Sequence, residues 1–182
     1  MDIIEKIFEL IDMRSFSNLW FWIVLAVLWS TVSHWVIGVP WDMVVRARKS
    51  VGRQAEDAAQ RVADLQDLVR INCNRIVMIA EQAGLFLCAV VFFTLTTLGL
   101  LGFVYNNEFS QAVFLLALPL SILGLLSLRT ARIIRRDALS DDALYRRLHR
   151  HRVATQAIGM LSIFVTAMWG MLQNFANGPF GY

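Results

Sequence analysis

Between Gln82 and Asn107 the chain carries no charged side chain, and none occurs from Phe109 to Leu128 or anywhere after Arg152. An uncharged apolar run of 18 residues or more is long enough to cross a bilayer as a helix. Four such stretches can be read, at residues 19–39, 84–104, 109–128 and 153–175. At 1.5 Å per residue, about 20 residues rise roughly 30 Å, the thickness of a hydrocarbon core. The runs are continuous, not alternating, which excludes a β-barrel. The expected class is all-α, a polytopic membrane protein with four transmembrane helices. Asp2, Glu5, Glu9 and Asp12 near the N-terminus argue against a cleaved signal peptide, which starts positively charged.

The charges that remain set an orientation. The connection 40–83 holds Arg46, Arg48, Lys49, Arg53, Arg61, Arg70 and Arg75. The connection 129–152 holds eight arginines, whereas "YNNE" at 105–108 and the tail "ANGPFGY" hold no base. Basic loops stay on the cytoplasmic side. Both termini are therefore expected in the periplasm, with the protein in a bacterial inner membrane. Trp20 and Trp22 mark one interface of the first span, and Trp35 and Trp41 the other. Trp29, mid-span, reads as a packing residue. Residues 1–14 have the pattern of an amphipathic helix lying in the outer interface.

One wet segment has a pattern of its own. From Ala55 the apolar positions step by threes and fours through Ala58, Val62, Leu65 and Val69, break at Asn72, and resume at Ile76, Ile79 and Ala83. That is a coiled-coil seam. It predicts one helix from about residue 52 to residue 104, whose first thirty residues project into the cytoplasm. The third span is expected to continue as helix to about Leu139, with Ser140 capping the helix that leads into the fourth. Helices 2, 3 and 4 thus carry cytoplasmic extensions, residues 52–83 and 129–152. The seam residues Val62, Leu65, Val69 and Ile76 are candidates for docking a partner or a second copy; packing inside the chain is the alternative. Small residues repeat every fourth position at Ala80, Gly84 and Cys88, and again at Ser162, Thr166 and Gly170, a pattern that lets membrane helices approach closely.

Chemistry is sparse. A phosphate-binding loop and the common hydrolase and zinc-protease signatures are missing from the sequence. Cys73 and Cys88 stand 15 residues apart, outside any paired motif. His34 is the one histidine inside a span, and a b-type haem needs two axial ligands. Glu81, at the edge of the second span, is expected to be solvated or paired with an arginine such as Arg75, not a proton relay. No span centre carries a charge, which weighs against an ion-coupled transporter. No catalytic residue, cofactor or metal is expected. Arg129, Arg132, Arg136, Arg146, Arg147 and Arg150 form a basic rim, read as a site for anionic lipid headgroups or an acidic partner. Nucleic acid is not expected.

The run "FELIDMRSFSNLWFWIVLAVLWSTVSHWVIGVPWDMVVRARK" at residues 7–49 resembles a family of small membrane proteins from alphaproteobacteria. The family is often labelled "component of SufBCD complex", after machinery that mobilises sulfur for iron–sulfur cluster assembly. The resemblance implies a link to cluster biogenesis and no catalytic motif. The expected function is a non-enzymatic scaffold, tether or accessory subunit for a partner complex. The alternative is a small transporter or channel subunit, with Thr94, Thr96, Thr97 and Ser121 lining a pore.

Overall fold

The computed structural model describes residues 15–50 and 56–176. The amphipathic helix expected at 1–14, the start of the long helix near residue 52, and the C-terminal tail lie outside them. After a single 3-10 turn, Ser15–Ser17, the described elements run α1 (Leu19–His34), β1 (Trp35–Val36), β2 (Val39–Pro40), α2 (Trp41–Ser50), α3 (Glu56–Gly99), α4 (Glu108–Arg136) and α5 (Asp141–Ala176). A π-helical turn, Leu100–Val104, ends α3. The chain is thus essentially all-helical. Three of its helices are long and apolar enough to cross a membrane: Ala58–Val104, Glu108–Arg136 and Asp142–Phe175.

The first expected span is corrected. Helix α1 stops at His34 after 16 residues, about 24 Å, short of residue 39. Residues 35–40 form instead a two-residue hairpin, with Trp35 opposite Pro40 and Val36 opposite Val39. Ile37 and Gly38 at its tip have φ of 52° and 73°. Two successive positive φ values are the signature of a type I′ turn and cannot continue a right-handed helix. Glycine suits the second position, and Pro40, which lacks a backbone N–H, suits an edge. Ile37 is β-branched and strained there, but its side chain is buried and holds the turn in place.

The chain divides into two compact units. Residues 30–50, 56–88 and 122–157 make the first, called here the aliphatic unit. Its core gathers Leu65, Val69, Cys73 and Val77 of α3, Ala131 and Ile134 of α4, and Leu144 and Leu148 of α5. Val36, Ile37 and Val39 of the hairpin and Val44 and Ala47 of α2 complete it. Each fully buried Leu or Val contributes about 1.5–3 kcal/mol relative to its exposed state. Asn72 interrupts the apolar row because it serves the hairpin: its side-chain amide donates to the Gly38 carbonyl at 3.2 Å.

The aromatic unit comprises residues 15–29, 89–121 and 158–176. Its buried cluster is small, Phe16, Phe21 and Ala112, with Trp20, Trp22 and Trp169 packed against it. Polar contacts do the rest. Asn107 caps α4, its side-chain oxygen accepting from the Ser110 N–H at 2.9 Å. Gln111 donates to the Gly102 carbonyl at 2.8 Å and accepts from the Trp169 indole N–H at 2.9 Å. A carbonyl near the end of α3 is thereby satisfied, as a helix terminus in apolar surroundings requires. Gly102 is needed for this approach, since a Cβ there would lie 2.9 Å from the Gln111 nitrogen.

Candidate functional site

The expected docking seam is closed from within. Leu65 and Val69 are each 1% exposed, covered by the other helices of the aliphatic unit. Val62 and Ile76 are partly buried, Ile76 against the same core. Past Asn72 the buried row is Cys73 and Val77, not Ile76 and Ile79, and Ile79 is exposed. The expected seam follows a 3.5-residue repeat, whereas a straight helix turns every 3.6 and drifts away from such a seam. Steps of four from Leu65 would have found Cys73 and Val77. Burial pushes the Cys73 thiol up to about 11, so it serves as a packing residue.

Of the two small-residue rows, one is in contact. Ser162, Thr166 and Gly170 are buried, and a Cβ on Gly170 would sit 3.2 Å from Phe16 and 3.3 Å from Trp22. Nothing lies within 4 Å of a Cβ built on Gly84, and Cys88 is exposed, so this row makes no comparably close approach among the described residues. Trp29 is buried with its ring against Gly159, a packing role.

The arginines separate into two populations. Arg135 pairs with Glu81 at 3.3 Å, and Arg136 with Asp137 at 2.8 Å. The partner of Glu81 is thus Arg135 of α4, not Arg75 on its own helix. Arg136 holds the Asp137 carboxyl below the usual carboxylate range. Arg152, outside the expected rim, lies over the Trp41 ring, 4.4 Å from its centroid, a cation–π contact. Arg129, Arg132, Arg146 and Arg150 are exposed and make no ion pair among the described residues. Arg147 is half-buried; burial and the positive charges of Arg150 and Arg129 pull its guanidinium below its usual value. These charges repel one another and make a positive field that the Asp137 carboxylate offsets in part.

Behind this rim sits His151, buried, its ring nitrogen Nδ1 3.2 Å from the Thr130 hydroxyl. The Thr155 hydroxyl donates to the His151 carbonyl at 3.0 Å. Burial, and then the Arg147 charge, hold the imidazole below its ordinary pKa. This buried polar group was not anticipated, because "LHRHRVAT" reads as a solvated basic run. His34 is exposed at the last turn of α1, its ring 6.1 Å from that of Trp35. Thr94 and Thr96 are exposed, Thr97 and Ser121 partly so, and the Ser121 hydroxyl donates to the Ala117 carbonyl at 2.8 Å. Among the described residues no group of three or more His, Cys, Asp or Glu could hold a metal ion. Set beside protein-family models, curated proteins and solved structures, the chain matches none.

Proposed function

We propose that the chain is a four-span protein of the bacterial inner membrane, with both termini in the periplasm, that acts without catalysis as a scaffold or accessory subunit. The aliphatic unit forms its cytoplasmic head, and the rim of Arg129, Arg132, Arg146 and Arg150 holds an acidic partner. The fourth crossing is made by α1, whose 16 residues require the bilayer to thin or its interfacial tryptophans to snorkel. The observation that carries this reading is the pairing state of the arginines. The head completes its core within one chain, yet leaves four exposed guanidiniums without an ion pair among the described residues. The basic bias of the same segments supports the orientation. The resemblance at residues 7–49 points to sulfur-mobilisation proteins as the partner.

The test is affinity purification from native membranes in mild detergent. A soluble complex should co-purify, dissociate as salt is raised, and be lost when Arg129, Arg132, Arg146 and Arg150 are all replaced by Gln. Recovery of the protein alone, or a complex indifferent to both treatments, overturns the proposal.

A further inference from the structure

Away from the rim, the aliphatic unit contains a cavity of about 220 Å3 between α2 and the first turns of α5. Its apolar wall is Trp41, Val44 and Val45. Arg48 and Lys49 of α2 and Tyr145 and His149 of α5 complete the lining, and no carboxylate lines it. Arg48 and Lys49 are exposed and make no ion pair among the described residues, unlike Arg46 one turn away, which pairs with Asp42. The His149 ring lies 6.0 Å from that of Trp41, and Arg152 covers Trp41 at 4.4 Å.

We infer that this cavity is a binding site for the phosphate-bearing headgroup of an anionic phospholipid. Three features select that ligand. Two neighbouring cationic side chains without an ion pair attract an anion. The apolar residues in the lining favour an anion linked to hydrocarbon over a fully hydrated free one. The volume falls below the roughly 300–1,000 Å3 of pockets that enclose a whole small molecule, so it takes a headgroup whose remainder lies outside. Helix α2 is built to lie where such headgroups are. It buries Val44 and Ala47, leaves Arg46, Arg48 and Lys49 exposed, and begins with a tryptophan. Lys and Arg at such a boundary hold their charges at the headgroup level while their stems cover apolar surface. The site differs from the arginine rim in residues and in having an apolar wall. It rests on the membrane reading but not on the existence of a protein partner.

The test uses the full chain in nanodiscs of phosphatidylcholine with and without phosphatidylglycerol. Native mass spectrometry counts retained lipid, and quenching by brominated phosphatidylglycerol, compared with Trp41→Phe, reports contact at Trp41. One phosphatidylglycerol should be retained, and quenching should fall in Trp41→Phe. Arg48→Gln with Lys49→Gln should weaken retention by about tenfold or more, as the loss of two direct charge-assisted contacts does. Both side chains are exposed, and an unchanged circular dichroism spectrum establishes that the variant is folded. Arg146→Gln with Arg150→Gln should change retention less than about threefold, the remainder of a screened surface charge. Equal losses in the two double variants mean diffuse surface charge and overturn the site, as does a wild type that retains no phosphatidylglycerol or shows no Trp41-dependent quenching. Displacement by inorganic phosphate alone identifies a free-anion site and overturns the lipid assignment. Failure of the protein to enter nanodiscs at all counts against the membrane reading and removes the site with it.

Discussion

The two units of this chain hold themselves together by different means. The aliphatic unit buries a continuous core of branched side chains drawn from a hairpin and four helices. The aromatic unit buries three residues in its main cluster and leaves Phe92, Phe93, Leu161 and Phe164 mostly exposed. In place of a core it has a glycine that admits a backbone, a glutamine bridging a carbonyl and an indole, and a row of small residues. The contrast is the one that the proposed membrane arrangement predicts. In water, burying apolar area drives packing; in hydrocarbon, exposed apolar area costs nothing, and close backbone approach and hydrogen bonds decide. The most apolar stretch of α3 is only 6% buried, which in water would be untenable.

The largest effects should separate the two units. Leu65→Ala should cost about 2–5 kcal/mol, as deletion of a buried leucine does. Phe93→Ala, at a ring 74% exposed, should cost within about 0.5 kcal/mol. Denaturant unfolding in mild detergent measures both, and equal losses would break the distinction. Next, Gly102→Ala should destabilise by about 1–3 kcal/mol, because its Cβ meets Gln111 backbone. Gly84→Ala, with open space at its Cβ, should stabilise its helix by up to about 1 kcal/mol. Thermal melts of the two variants should move in opposite directions.

A smaller effect concerns acid. His151 is held neutral in the fold by burial and by Arg147. The unfolded chain takes up a proton as pH falls past the ordinary histidine value, about 6.5, and the folded chain does not. The stability contributed by neutral His151 is therefore complete above that pH and is lost as pH falls below it. Melting temperatures followed from neutral to mildly acidic pH should show a decline that His151→Gln reduces; parallel profiles would refute the assignment. The smallest effect is expected at the exposed Glu81–Arg135 pair, where Glu81→Gln should cost less than about 0.5 kcal/mol and vanish in high salt. A larger loss would place this edge of α3 in surroundings drier than the exposure of both side chains indicates.

How far the sequence could be read differs between the units for the same reason. In 84–104, 109–128 and 153–175, uncharged length alone determined three helices, because unpaired backbone polar groups admit little else in hydrocarbon. The first span misled, since hydropathy runs on through Trp35 and Val36 while Ile37–Gly38 turns the backbone. In the seam, Ile76 and Val77 are equally apolar neighbours, and which of them is buried depends on where the opposing helix lies. Glu81 takes its partner from α4, whereas Arg75, six residues back on its own helix, lies on a different face.

What the sequence determined by itself, then, is the helical class, the three long apolar helices and the segregation of arginine to two connections. These are additive properties of local composition and period. The tertiary structure alone decided that the seam is filled within the chain, that Asn72 serves a hairpin, and which arginines keep a counter-charge. Those outcomes depend on residues far apart in sequence meeting in space, and neither hydropathy nor helical period encodes where a partner surface will be.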